Sequence, residues 1–240
     1  MTRGSTTREA MAEVALHMFA ERGIDAVSLR EITAASGQRN KSAAQYHFGS
    51  KEQLVREIFE RHTGQVDIRR QHLLATLYEN GREPSLEELA DALIRPLAGA
   101  LIEQEHSHYA RFLAQVATPP WTVALVPADP AATQSVQTVF SAIARLLDDL
   151  PETILRTRLA LAMMLTVRAL AACEHAMEQS GSDNARRVAL LTANLIDSTI
   201  GILRAPVSEA TRSLLPPDPE PVTRDDDWPW HLLIGAEAGF

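Results

Sequence analysis

Residues 28–54, SLREITAASGQRNKSAAQYHFGSKEQL, constrain the fold more than any other stretch of the chain. Ser28 and Glu31 have the spacing of a capping box, in which each side chain serves the other's backbone N–H at a helix start. Leu29 and Ile32 follow as the first apolar pair. This helix should stop at Ser36-Gly37, because glycine takes the left-handed conformation that closes a helix at little cost. A second short helix opens at Asn40-Lys41-Ser42 and runs through Ala43, Ala44, Gln45, Tyr46 and His47. Gly49 breaks it, and Ser50 caps a third helix beginning Lys51-Glu52-Gln53-Leu54. Two short helices joined by a tight turn make a helix-turn-helix layout, and the second carries groups suited to base edges and phosphates.

These residues resemble the N-terminal domain of the tetracycline repressor (TetR) family of transcriptional regulators. The resemblance spans residues 7–60. It rests on Phe19-Ala20-Glu21-Arg22-Gly23, Ser28-Leu29-Arg30-Glu31-Ile32, Ala35-Ser36-Gly37 and the run from Tyr46-His47-Phe48 through Gly49-Ser50-Lys51-Glu52-Gln53-Leu54. The segment Arg39–Gln45 departs from the family's usual pattern, so the DNA sequence read by another member does not transfer. The resemblance implies a homodimer that binds a palindromic double-stranded operator and a small apolar effector held inside a helical body.

Within the head, Lys41, Tyr46 and Lys51 are assigned to phosphates, and Lys51 also lies at a helix N-terminus, which favours an anion. Arg39, Asn40, Ser42 and Gln45 are the candidates for base edges, since Arg suits guanine and Asn or Gln suits adenine. His47 could serve either purpose or pack, and Ser28 completes the DNA-binding set.

Charge agrees with this division. Residues 1–62 hold nine Lys/Arg against eight Asp/Glu, whereas the rest of the chain holds fourteen against twenty-three. Overall acidity argues against non-specific attraction to nucleic acid, while the split suggests a near-neutral DNA-facing head on an acidic body. The two lysines of the chain, Lys41 and Lys51, both lie in the helix-turn-helix. The one cysteine, Cys173, excludes an intrachain disulfide. No signal peptide and no run of about 18 apolar residues is found, so a soluble cytoplasmic protein without a membrane span is expected.

Outside the head the pattern is helical throughout, and the fold class is all-α. Residues 1–6 read as a polar arm, with Arg3 able to touch phosphate. The first helix shows an apolar stripe at Met11, Val14, Ala15, Met18 and Phe19 and ends at Gly23. The helix from Lys51 continues to Asn80-Gly81 as a lever between head and body, with Gly64 a weak point. Ser85 and Glu88 form a second capping box, for a helix that Pro96 should kink. Residues 106–117 are a shorter helix and 118–127 a loop. Asp129-Pro130 caps the next helix, Pro151 starts one ended by Gly181, and Asp183 caps the last, to about Leu203.

The division is therefore 1–62 (helix-turn-helix DNA-binding domain), 63–205 (larger C-terminal helical effector-binding and dimerisation domain) and 206–240 (a Pro-rich tail). Trp228, Trp230, Leu232, Leu233 and Ile234 in the tail are apolar enough to dock on the body or on a partner. The helix from Pro151 is apolar nearly all round, and the last helix has a stripe of Val188, Leu191, Leu195, Ser198 and Ile202. Two such helices can pair with their copies as a four-helix bundle, with Leu195 in the seam.

Candidate effector contacts are Tyr109, Phe112, Trp121, Phe140, Met163, Met164 and Arg168. Arg168 stands out because a charge in an apolar helix needs a partner, either a ligand carboxylate or an internal acid, unless it reaches solvent. His106, His108, Cys173 and His175 are checked for metal binding and rejected, because neighbours one or two apart do not share a helix face. No cofactor or metal is expected. No catalytic constellation stands out, so the chain is read as a ligand-responsive transcription regulator, a repressor, rather than an enzyme. The alternative is a helical binding or scaffold protein whose head no longer reads DNA.

Overall fold

The computed structural model describes residues 3–38, 40, 42–79, 81–103, 107–117, 121, 134–179 and 183–215. The expected loop at 118–127 (Trp121 apart), the Asp129-Pro130 cap and the apolar tail residues Trp228 to Ile234 lie outside the described residues. So do Arg39 and Lys41.

Ten α-helices are found among the described residues, and no strand. The head contains α1 (Arg3–Arg22), α2 (Leu29–Ala35), α3 (Ala43–Phe48) and the first half of α4 (Lys51–Tyr78). The body adds α5 (Leu86–Glu103), α6 (Tyr109–Val116), α7 (Gln134–Leu146), α8 (Glu152–Gln179), α9 (Asn184–Arg204) and the short α10 (Glu209–Arg212). The helix begins at Arg3, so most of the expected polar arm is part of α1.

Local chemistry sets the helix ends. The Ser28–Glu31 and Ser85–Glu88 boxes both close reciprocally, with backbone-to-side-chain distances of 2.8–3.2 Å. Ser50 Oγ accepts from Gln53 N, and Asp183 accepts from Arg186 N. Gly23 and Gly37, at φ +93° and +69°, end α1 and α2.

The head core is built from Met11, Ala15 and Phe19 of α1, Ile24 and Val27, Ile32, Ala44 and Phe48, and Leu54, Val55 and Ile58, all buried. Val14 and Met18 are only partly covered, while Ala12 and Leu16 are buried. The α1 stripe is thus rotated from the one read in the sequence. The cause is that α1 packs on two partners, the rest of the head on one side and α6 on the other.

In the body, α5 lies against α9, α6 against α8, α8 against α9, and α7 against α4 and α5. α4 runs unbroken through Gly64, so one helix belongs to both head and body. Pro96 lies inside α5. Proline has no N–H to give the carbonyl four residues back, which is that of Ala92. Arg70 of α4 fills the gap: its Nε donates to Ala92 O at 3.0 Å and its Nη2 to Leu93 O at 3.3 Å. Its Nη1 reaches Ser135 Oγ of α7 at 3.3 Å, and Asp67 lies 3.9 Å away. Asp67 also accepts from Ser135 N and from the Ser135 hydroxyl. This buried pair therefore joins α4, α5 and α7.

α8 is long and apolar enough to cross a membrane by length and composition, with mean hydropathy 1.4 in its apolar window. Half of that window is buried inside the protein. The exposed remainder is one face: Thr157, Leu161, Met164, Leu165, Arg168, Ala172 and His175 follow helical spacing.

Candidate nucleic-acid interface

The angle between α2 and α3 is held from inside. Thr33, buried on α2, donates its hydroxyl to Leu29 O at 2.9 Å and accepts from Ala44 N of α3 at 3.2 Å. The turn between them passes through Gly37, whose positive φ suits glycine. Asn40 then accepts from Ser42 N at 3.1 Å, a side-chain turn that starts α3. At the other end Gln45 donates to Gly49 O.

α3 buries Ala43, Ala44 and Phe48 and turns Gln45 and Tyr46 to solvent, and Asn40 and Ser42 just before it are exposed as well. Tyr46 is 83% exposed, an unusual position for a large ring on a single chain. His47 is half-buried with its ring at an edge-on 5.3 Å from that of Tyr46. Four of the expected DNA contacts, Asn40, Ser42, Gln45 and Tyr46, thus share one open surface, with His47 beside them. Ser28 is exposed, but its side chain is occupied by the cap. Glu31, which completes that cap, has its carboxyl drawn down to about 2 by Arg22 and then by Ser28.

Lys51 opens α4, as expected, and its ammonium is engaged within the chain. Its Nζ donates to Ile24 O at 3.0 Å, Val27 O at 3.2 Å and Asp25 O at 3.4 Å. Those three carbonyls belong to the loop after α1, and the ammonium also lies 5.5 Å from the Trp121 ring centre. All three of its donors are taken by carbonyls of that loop, so Lys51 clips the loop to the start of α4.

Head and body meet along α1 and α6. Gln115 donates to Phe19 O at 2.7 Å and accepts from Ile24 N at 2.9 Å, while Trp121 Nε1 donates to Asp25 at 3.1 Å. Arg111 of α6 reaches Glu21 of the head at 2.6 Å, Glu174 of α8 at 3.2 Å, and Glu178. Glu174 accepts two backbone N–H groups at the start of α6, from Ala110 at 3.1 Å and Arg111 at 2.9 Å. Burial pushes the Glu174 carboxyl up despite these donors.

The effector candidates do not form one set. Tyr109, Phe112, Trp121, Phe140 and Met163 are buried, but Met164 and Arg168 lie on the open face of α8. A cavity of about 20 Å³ is lined by His62, Gln65, Val66, Arg69, Ala100, Ser107 and Tyr109. It has room for about one water. Tyr109 alone of the seven lines it. Its hydroxyl meets Thr63 at 2.9 Å, its ring stacks on His62 at 4.8 Å, and burial pushes it up to about 12. His62 escaped sequence reading because nothing in its neighbourhood marks it as buried. Cys173 is buried while His175 is exposed on Gln179, so the two diverge, and His106 lies outside the described residues.

Residues 12–58 match the family described as bacterial regulatory proteins, tetR family. The head matches a TetR-type domain. The TetR-type head occupies the same stretch whose caps and glycines define the helix-turn-helix. The likeness in fold reaches beyond the head, over 82% of the chain. A tetR family transcription regulator from Shewanella sp. PV-4 superposes with a TM-score of 0.53 at 15% identity, over 82% of this chain and 95% of that one. A γ-butyrolactone receptor described as ArpA-like aligns at 0.46, with 20% identity over 82% and 100% of the two chains. RolR in complex with resorcinol aligns at 0.39, with 19% identity over 86% and 97%. Among curated proteins none matches.

Proposed function

We propose that the protein is a sequence-specific DNA-binding regulator that acts as a homodimer and represses until a small molecule releases it. The observation that carries this reading is the polar, outward surface at α3 (Asn40 and Ser42 leading into the helix, Gln45 and Tyr46 on it), held against α2 by Thr33. A helix so presented fits the major groove, where Asn40 and Gln45 can read adenine and Ser42 either base, with Tyr46 on a phosphate. Arg39 and Lys41 belong to the same segment and complete the proposed contact set. Two heads on a two-fold axis would read a palindrome about one helical turn apart. DNA as partner places its work in the cytoplasm, and no catalysis is assigned to it.

The dimer is supported by apolar side chains that the single chain leaves open: Leu161, Met164 and Leu165 on α8 and Leu190 on α9, the last 72% exposed. Release is supported by α4, which begins in the head and passes the His62–Tyr109 cavity before ending in the body. An effector that binds one arrangement of that helix better than another would shift the spacing of the heads.

The test is a gel shift with the DNA upstream of the protein's own gene. Wild type should bind, and Tyr46→Ala should bind at least about tenfold more weakly while melting at the same temperature. Wild-type binding that does not distinguish this DNA from random sequence, or a Tyr46→Ala protein that binds normally, would sink the reading.

A further inference from the structure

The seam between head and body gathers a set of groups that DNA reading does not use. His17 and Glu21 lie one turn apart on α1, and so on one face of that helix. His108 precedes α6 from the body side. The ligand atoms of these three residues all lie within 4.8 Å of one another. The two imidazoles stack, with ring centres 4.3 Å apart and planes inclined by 29°. Glu178 of α8 brings a second carboxylate, 3.2 Å from His108 Nδ1.

We propose that His17, Glu21 and His108 form a zinc-type site that clamps the head helix α1 to the body. The donor set decides the class of ion. Two imidazoles and a carboxylate suit a borderline cation such as Zn²⁺, whereas Mg²⁺ and Ca²⁺ take oxygen donors. Tetrahedral Zn²⁺ needs its nitrogen and oxygen ligands about 3.4 Å apart, from bonds of about 2.0–2.1 Å. Side-chain rotation closes the remaining distance, because His17 and Glu21 are both exposed.

Glu178 supplies the orientation that such sites use. A proton on His108 Nδ1 directed at Glu178 leaves Nε2 to face the ion, the arrangement in which a carboxylate fixes the tautomer of a ligating histidine.

Charge points the same way. Arg111 is the one guanidinium bonded to Glu21, Glu174 and Glu178 together, so three carboxylates face one cation across the seam. A divalent ion balances the excess. Arg111 holds Glu21 through Oε1, and a carboxylate has two oxygens, so Glu21 can serve guanidinium and metal at once. Arg111 Nη2, now 2.7 Å from His108 Nδ1, would yield that nitrogen to Glu178.

The probe is the metal alone, on the full-length free protein, so the result is independent of DNA recognition. Zn²⁺ affinity is measured by competition with a chromophoric chelator, and Co²⁺ is titrated to read its coordination from visible absorbance. Wild type should bind one Zn²⁺ per chain at micromolar or tighter affinity, give a tetrahedral Co²⁺ spectrum, and melt at a higher temperature with Zn²⁺. His17→Ala and His108→Ala should each lose affinity by at least about tenfold. His175→Ala, an exposed histidine on α8, should bind as wild type. Circular dichroism without metal checks the fold of each variant. If His108→Ala misfolds, His17→Ala, on the surface, decides alone. Absence of micromolar binding by wild type, a His17→Ala protein that binds normally, or an equal loss in His175→Ala overturns the site.

Discussion

His62 is a histidine whose folded surroundings refuse a proton. Its ring is buried against Tyr109, and burial, with a smaller contribution from Arg61, lowers its pKa to about 4. The unfolded chain binds a proton near pH 6.5 that the folded chain does not. The stability this residue contributes is therefore complete above about pH 6.5 and is lost as pH falls toward 4, by on the order of 3 kcal/mol in full. Urea unfolding at about pH 7 and about pH 4.5 should show a smaller acid loss in His62→Gln than in wild type. Equal losses would mean that the ring takes its proton inside the fold. Lys51 makes an equally sharp case. An ammonium bonded to three loop carbonyls contributes about 2 kcal/mol, so Lys51→Met should lower stability by that order. The salt dependence of DNA binding should keep its slope, whereas a phosphate-binding lysine would remove about one unit of it.

At the scale of the elements, Pro96 and Arg70 form a pair that spans two helices. The proline removes a donor inside α5, and the guanidinium from α4 takes the carbonyl it leaves. Burial pulls Arg70 down to about 10, with Asp67 acting in the opposite direction. Arg70→Met would leave Asp67 buried without its cation, at a cost of about 3–5 kcal/mol. Adding Asp67→Asn should recover part of the loss, and the two chemical melts would show it. If the single variant melts like wild type, α5 does not depend on this cross-link. The same pair shows where sequence reading stops. Caps are local, so Ser28–Glu31, Ser50, Ser85–Glu88 and Asp183 fixed helix starts that the structure reproduces. The polar groups at α3 were legible for the same reason, since Asn40, Ser42, Gln45 and Tyr46 fall within one short segment between Gly37 and Gly49. A buried charge is not local. Arg168 attracted notice because its neighbours are apolar, yet helical spacing sets it with Leu161, Met164 and Leu165 on a face the chain leaves open. Arg70 lies among Asp67, Arg69 and Gln71, where it looks like surface, and the carbonyl it serves is created by a proline on another helix. Arg111, at the centre of the head–body seam, is hidden in the same way, because its acids come from α1 and α8.

The open face of α8 and Leu190 of α9 belong to the scale of the whole molecule. Leu161, Met164 and Leu165 are each 41–49% exposed and follow one another at helical spacing on a single face of α8, an apolar row of the kind that marks an interaction surface. A charge placed there should separate the chains without disturbing either one. Leu165→Asp is expected to give a folded monomer by light scattering, with an unchanged helical spectrum. Its affinity for a two-headed operator should fall by more than about tenfold, because the second head no longer binds at high local concentration. Leu195 is a different test despite lying in the last helix. It is 4% exposed within its own chain, packed in the body core, so Leu195→Asp buries a charge and should unfold the body at a cost of several kcal/mol. The contrast separates the open face of α8 from the buried face of α9: loss of the dimer with the fold intact in one variant, loss of the fold in the other. A Leu165→Asp protein that remains a dimer would move the interface off this face.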